Sequence, residues 1–231
     1  MKPTMMPTLM AVTALLTVAV WSAGPALAKG VRCEYSKDRK YLKNGKHHGK
    51  VPCLSESGQL MQETTFVNGV EHGPFRILSS EGTPRFSGTY KKGKRHGPYT
   101  VHLRDGRPHR VTTYRDGKEH GRYVEYCVRG KTDKQIKLEG NYKGGQIRDG
   151  KWKSYDCRSG LLAKVESWDR GLRDGEYVEY NFRSEKVARR YHFKANKRHG
   201  VAQRFDKEGK LAQQQCWQHG SVVKPMSACT R

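Results

Sequence analysis

The chain has 231 residues, and its 45 lysines and arginines outnumber its 22 aspartates and glutamates, which gives a formal net charge of +23. This length is typical of one or two domains. None of its six cysteines forms a C-x-x-C pair, so the sequence lacks the usual support for a zinc site or thioredoxin-like chemistry.

The N-terminal residues have the pattern of a secretory signal peptide. Lys2 precedes an uncharged apolar run at 10–21, and a small-residue cleavage site follows, ending at Ala28. The run is too short for the roughly 20 residues that span a bilayer, and Cys33 lies too far beyond the run for a lipoprotein anchor. We therefore expect residues 1–28 to be removed, leaving a soluble chain of charge +22 (23 − 1, for Lys2) that is exported to the periplasm or the extracellular space.

Glycines repeat along the remaining chain in three phased series, and the steps of the first series are 24 to 28 residues. The first glycine of each unit is followed four or five residues later by a second, and a third marks the far end. The first series is Gly45, Gly69, Gly93, Gly117, Gly145, Gly171, Asn196 in place of glycine, and Gly220. The second series is Gly49, Gly73, Gly97, Gly121, Gly150, Gly175 and Gly200, and the third is Gly58, Gly82, Gly106, Gly130, Gly160 and Gly209.

Large side chains follow the same period in three rows, which we expect to form the core. The first row, three positions before the first glycine, is Leu42, Phe66, Tyr90, Tyr114, Tyr142, Trp168, Phe193 and Trp217. The second row, two positions after the second glycine, is Val51, Phe75, Tyr99, Tyr123, Trp152, Tyr177 and Ala202. The third row, five positions after it, is Leu54, Leu78, His102, Tyr126, Tyr155, Tyr180 and Phe205.

The segments between glycines are short, often alternate polar and apolar residues, and are rich in tyrosine, valine and threonine, which is typical of strands joined by turns. Each unit is predicted to be a β-hairpin with the G-x-x-x-G piece as its turn. The fold class is therefore all-β, with tandem antiparallel hairpins of about 24 residues forming one elongated twisted sheet. We place an N-terminal segment at 29–40, an array of seven full units and a partial one at 41–220, and a tail at 221–231.

The units "YKKGKRHGPYTVHLRDG" and "YRDGKEHGRYVEYCVRG" resemble the MORN-type repeat, and more closely its bacterial variant of about 24 residues found in YwqK-family antitoxins. The resemblance covers about residues 41–220. It implies a hairpin-repeat fold and a role as an interaction or lipid-binding scaffold, and the variant implies a toxin-neutralising role as the alternative.

A histidine precedes the second glycine in five units, where it resembles a reactive or metal-binding group. Aspartate takes its place in two others, as a short polar side chain that hydrogen-bonds the turn backbone would allow. Equivalent positions in successive hairpins lie about 10 Å apart, too far for one tetrahedral metal site. The row is His48, His72, His96, His120 and His199, with Asp149 and Asp174.

No residue cluster in the sequence indicates an enzyme. Glu125 and Glu179 occupy equal positions two units apart, about 20 Å in a flat array, which is wider than the longest carboxylate spacing of a glycosidase, about 9.5 Å. The chain has no G-x-S-x-G, H-E-x-x-H or phosphate-loop motif. We expect no catalytic residue, no cofactor and no metal.

The excess of positive charge favours an acidic partner, either an acidic protein or an anionic envelope component. Tyrosines interleave with the cations as in single-strand nucleic-acid platforms. The same rows suffice as core, however, and the chain is expected to be exported, so nucleic acid is not the expected partner. A charge that only keeps an exported protein from aggregating is the competing interpretation. The candidate surface on the turns is Lys91, Lys92, Lys94, Arg95, Lys194, Lys197 and Arg198.

Six cysteines in an exported chain favour disulfides, with 15 possible pairings. If the cysteines pair in sequence order, one disulfide stabilises each end of the array. The middle disulfide then joins the units on either side of the enlarged segment 131–140. The middle pair requires that segment to bend the sheet, because an ideal spacing of two strands exceeds the 7 Å limit for a disulfide. The expected pairs are Cys33 with Cys53, Cys127 with Cys157, and Cys216 with Cys229.

Overall fold

The computed structural model describes residues 34–129, 132, 134–181 and 183–229. The expected signal peptide lies outside the described residues. Two short 3₁₀ helices are present, at Arg39–Tyr41 and Met226–Ala228. The strands are β1 (Glu34–Tyr35), β2 (Leu42–Lys43), β3 (Lys46–His47), β4 (Gly49–Leu54), β5 (Leu60–Val67), β6 (Val70–Leu78), β7 (Pro84–Lys91), β8 (Lys94–Arg95), β9 (Gly97–His102), β10 (Pro108–Arg115), β11 (Lys118–Tyr126), β12 (Ile136–Tyr142), β13 (Arg148–Tyr155), β14 (Leu162–Asp169), β15 (Leu172–Tyr180), β16 (Val187–Lys194), β17 (Lys197–Arg198), β18 (Gly200–Phe205), β19 (Leu211–Gln218) and β20 (Ser221–Val223).

Eighteen of these strands form one antiparallel sheet in which neighbours in sequence are neighbours in space, so the predicted fold of tandem hairpins is confirmed. The exceptions to sequence order are confined to the N-terminal end, where β1 pairs with β4 while β2 and β3 form a separate small hairpin. The two-residue strands β8 and β17 belong to the turns, where the second strand of a hairpin bends before its main part begins.

The hairpin turns have the geometry that the first glycine predicts. Asn68 and Gly69 have φ of 50° and 81°, and His219 and Gly220 have φ of 49° and 93°. Two successive residues with positive φ make the type I′ turn that matches the twist of antiparallel strands.

The second glycine is required both for its backbone conformation and for the space beside it. Gly73 has φ of +113°, and a Cβ there would lie 3.1 Å from the side chain of Thr65 on the neighbouring strand. Gly175 repeats this arrangement with φ of +101° and Ser167 at 3.1 Å. The chain therefore bends at this glycine while it passes close to a small polar side chain.

One row across the sheet alternates a large residue of the second predicted row with a smaller one. Thr112 pairs with Tyr99 on one side and with Tyr123 on the other, and Gly140 pairs with Tyr123. This row contains many of the buried side chains, because the rings of Phe75, Tyr99 and Tyr123 fill the space above a threonine or glycine. Its second-row members include Val51, Phe75, Tyr99, Tyr123, Trp152 and Ala202, all buried.

The three predicted core rows differ in burial. In the first row Phe66 and Tyr90 are buried, and the later aromatic members are half-buried. The third row was expected to be core as well, but Leu78 is its only buried member and Leu54 is 36% exposed. The third row lies near the far ends of the strands.

Two of the expected disulfides are present, Cys127–Cys157 and Cys216–Cys229. The Cα atoms of Cys127 and Cys157 are 5.6 Å apart, so the joint between their units does not keep an ideal two-strand spacing. The side-chain amide of Gln135, in the enlarged segment, donates to the backbone carbonyl of Cys157 at 3.0 Å and ties the segment to this joint. Cys33 lies outside the described residues, and its pairing with Cys53 stays a prediction.

Gly140→Ala tests the alternation of large and small residues. A Cβ at Gly140 would lie 2.3 Å from the Trp152 indole, and overpacking of this kind costs about 1–3 kcal/mol. We expect urea unfolding to show this loss of unfolding free energy when Gly140→Ala is made in the wild-type protein. The loss should be smaller when Trp152 is first changed to Tyr, because Tyr99 and Tyr123 lie beside the Cβ of Thr112 at the equivalent position. An equal loss in both backgrounds would contradict the packing argument.

Candidate interaction surface

The turns of successive units are joined by a ladder of backbone hydrogen bonds. In each turn after that of the first unit, the N–H of the first glycine, or of Asn196 in its place, donates to a carbonyl in the turn of the preceding unit. Each rung is 2.8 or 2.9 Å long. The rungs are Gly69 to His47, Gly93 to Glu71, Gly117 to Arg95, Gly145 to Glu119, Gly171 to Arg148, Asn196 to Arg173 and Gly220 to Arg198.

Where an arginine supplies the carbonyl, its side chain also lies against the aromatic rows. The guanidinium of Arg95 lies 4.7 Å from the ring centre of Tyr99 and 5.5 Å from that of Tyr114. Arg148 lies 4.3 Å from the ring centre of Trp152 and 5.0 Å from that of Trp168. Arginine over an aromatic face is attracted by the ring quadrupole, so these side chains cover the rings from the turn side.

The predicted basic surface therefore contains two kinds of residue. Arg95 is half-buried over its rings, and Arg198 is half-buried 4.5 Å from the ring centre of Tyr191 and 4.9 Å from that of Trp217. These two arginines pack on the aromatic rows. The five lysines of the set are exposed at the turns: Lys91, Lys92, Lys94, Lys194 and Lys197.

The exposed lysines form two separate groups. Lys91, Lys92 and Lys94 lie at the turn of the third unit, and none of them is in an ion pair with a described residue. Lys194 and Lys197 lie four units further on, about 38 Å along the sheet at about 4.8 Å per strand. Lys194 is partly neutralised by Asp174 at 3.7 Å. The group at the turn of the third unit is therefore the stronger candidate for a site that binds an anionic partner.

The histidine and aspartate row connects units to one another. The N–H of Asn68 donates to Nδ1 of His48 at 3.4 Å, and the N–H of Ala195 donates to Oδ2 of Asp174 at 3.3 Å. In both pairs the donor belongs to the turn of the following unit. At these two positions the side chain does hydrogen-bond turn backbone, as predicted. The backbone belongs to the turn of the next unit, so each bond joins two turns.

The candidate acid pair has no shared site. Glu125 accepts from Lys137 at 2.8 Å and from the Tyr123 hydroxyl at 3.2 Å, whereas Glu179 is bound by Tyr177 two units away. Within the described ranges, no group of three or more histidine, cysteine, aspartate or glutamate side chains is placed to hold a metal ion. In the same ranges no helix is long and apolar enough to cross a membrane.

A buried carboxylate that the sequence analysis missed lies in the alternating row. Glu166 is 3% exposed and takes the position that threonine or glycine fills in several other units. Arg173 and Lys164 each lie 3.1 Å from its oxygens, and Arg148 lies at 3.9 Å. Alignment of the units on their first glycines would have identified this position, because it is the one carboxylate in the row. Its contacts bind the arginines of two turns to the sheet.

Two phenols of the second aromatic row, those of Tyr99 and Tyr123, are held in their neutral form. Desolvation by burial raises the pKa of Tyr99 to about 12. Burial, together with the neighbouring Glu125 carboxylate, raises the pKa of Tyr123 to about 12. Such groups exchange no proton near neutral pH, which agrees with a packing role for these tyrosines.

Comparison with known proteins bears on the repeat itself. Residues 198–219 match the family described as "MORN repeat variant". The matched stretch runs from the turn strand β17 through β18 and β19 to the final hairpin turn, so it is one repeat period. No curated protein matches the chain. Together with the sheet of tandem hairpins, the match supports a MORN-type repeat protein.

Arg95→Gln and Lys94→Gln separate packing from surface charge. We expect Arg95→Gln to lower the free energy of unfolding by about 1–2 kcal/mol, because it removes a cation from two aromatic faces. Lys94→Gln changes the net charge equally but is expected to stay within about 0.5 kcal/mol of wild type. Chemical denaturation of both variants measures the difference, and equal stabilities would refute the covering role of Arg95.

Proposed function

We propose that this protein is an exported, non-enzymatic binding scaffold that presents exposed turn lysines to an acidic partner, either an acidic protein or an envelope polyanion. The observation that carries the proposal is the group formed by Lys91, Lys92 and Lys94. Their side chains are exposed and have no acidic partner among the described residues. Among the residues that the structure describes, no arrangement of side chains suggests a catalytic reaction.

The turn that holds these lysines is fixed on both sides. Gly93 donates to the carbonyl of Glu71 in the preceding turn, and the carbonyl of Arg95 accepts from Gly117 in the following one, each at 2.8 Å. Arg95 is also held over two rings. Because the backbone of this turn is already ordered, binding of an anionic group costs only the rotamer freedom of the lysine side chains.

Export is supported by the disulfides. The bonds Cys127–Cys157 and Cys216–Cys229 fit an oxidising compartment. The apolar run and small-residue cleavage site at the N-terminus point to the same route. The partner would then be met in the periplasm or outside the cell.

The triple variant Lys91→Gln, Lys92→Gln, Lys94→Gln tests the binding surface. Near an anionic surface each lysine contributes about 1 kcal/mol, so we expect about 100-fold weaker binding to vesicles of anionic phospholipid or to an acidic glycan, with a shallower salt dependence. Titration of residues 29–231 at several salt concentrations measures both quantities.

The matched control is Lys37→Gln, Lys40→Gln, Lys207→Gln, which removes the same charge from exposed lysines that face carboxylates. It should bind nearly as tightly as the wild type. Equal losses in the two variants would show that only the net charge matters, as expected if the charge serves solubility. Absence of salt-sensitive binding in the wild type would end the polyanion proposal.

A toxin-neutralising role is the second candidate. It is favoured by the unit length of about 24 residues and by the match at 198–219 to a MORN repeat variant, since the bacterial variant resembles repeats of YwqK-family antitoxins. If this role is correct, co-expression should rescue cells from a toxin encoded beside the gene. If co-expression does not restore growth in the presence of the toxin, the toxin-neutralising role is wrong and only the scaffold role remains.

A further inference from the structure

The last hairpin of the array is incomplete. After its turn, β20 has only three residues and pairs with Cys216, Trp217 and Gln218 of β19. The corresponding strands β4, β9 and β18 have six residues each. Residues 211–215 of β19 therefore pair with β18 on one side, and no described strand pairs with them on the other.

The direction of the free backbone groups follows from the final turn. His219 and Gly220 form a two-residue turn, so Gln218 and Ser221 are a hydrogen-bonded pair. Backbone groups alternate in direction along an antiparallel strand, which points those of Gln218, Cys216 and Gln214 away from β18. Cys216 faces Val223 of β20. The N–H and C=O of Gln214 face the open edge.

This edge lacks the features that protect terminal strands from pairing. Exposed edge strands usually carry charges or are covered, but the residues 211–214 are all exposed and Leu211 is 50% exposed. Among the described strands of eight residues or more, β19 alone has no charged residue. At the other end of the sheet, β1 pairs with β4, and Pro52 of β4 has no N–H to offer.

The surroundings of the open edge have a positive excess, because the cations Arg204, Lys207, Lys210 and Lys224 outnumber the carboxylates Asp206 and Glu208. Arg204 is exposed on the adjacent strand β18, and Lys224 is exposed directly after β20. Neither side chain is in an ion pair with any residue that the structure describes. A strand laid along the edge would have one cation on the neighbouring strand and another at its end.

We propose that residues 211–214 bind an extended acidic segment of a partner protein, which adds as a strand and completes the eighth hairpin. The open stretch, residues 211–215, sets the length of this segment at about five residues, or about 17 Å. A second copy of this chain fits less well. It would bring Arg204 and Lys224 of two copies together, and each β20 would block the other strand beyond Gln215. The site is separate from Lys91, Lys92 and Lys94, and it does not depend on the function proposed for them.

Two fluorescent peptides probe this edge, one that alternates valine with glutamate and one that alternates valine with lysine. We expect anisotropy to show binding of the acidic peptide alone, with slowed hydrogen exchange at the Gln214 amide. Gln214→Pro removes the outward N–H and keeps the bonds to β18, since proline is tolerated where the N–H faces solvent. It should weaken binding at least about tenfold, the effect of about 1.4 kcal/mol.

A second probe avoids any doubt about folding of the variant. N-methylation of alternate amides in the acidic peptide should abolish its binding to the wild-type protein, because a methylated amide cannot donate to the edge. Binding that survives both N-methylation and Gln214→Pro would overturn the proposal. A dimer in sedimentation equilibrium that Gln214→Pro dissociates would also overturn it, by making a second copy the occupant.

The variant Lys91→Gln, Lys92→Gln, Lys94→Gln separates this inference from the proposed function. It should leave binding of the acidic peptide at the edge unchanged while it weakens binding to anionic vesicles. Loss of both activities in this variant would show that the peptide binds at the turn lysines, which refutes the edge site.

Discussion

A single layer of strands has no opposite layer to cover its aromatic side chains, and the rest of this structure depends on how the turns supply that cover. From Gly69 onward, the N–H of the first glycine of each unit, or of Asn196 in its place, bonds to the turn before it, so successive turns stack. Stacking places Arg95, Arg148, Arg173 and Arg198 over the rings of the sheet. Backbone and side chain of one residue thus join two units and close the core.

Arginine and lysine side chains have different roles in this arrangement. Arginine has a flat, weakly hydrated head that packs on rings, and four of the turn carbonyls in the ladder belong to arginines. Lysine is more strongly hydrated and stays exposed at Lys91, Lys92 and Lys94. Part of the large positive charge is therefore structural, and the part that remains for a partner is concentrated at particular turns.

The units also differ where the regular pattern is interrupted. A disulfide joins the two units flanking the enlarged segment, and Glu166 offsets the charge of arginines from two turns. The two ends of the sheet are unequal, because β1 and Pro52 finish one edge while β20 covers less than half of β19. Features that set one unit apart from the others are the places where a repeat protein can bind selectively.

The sequence by itself determined the hairpin units, their turns and the second aromatic row, because these depend on local conformation and on a period that each unit repeats. Gly69 needs a positive φ whatever surrounds it, and Tyr123 recurs in phase with Tyr99. The sequence also predicted a candidate surface of seven cations, but it did not separate Arg95 from Lys94. Only the tertiary structure decided that, since one position in the chain faces the rings and its neighbour faces water. The burial of Glu166 and the open edge of β19 were decided in the same way, by contacts between units that no single unit contains.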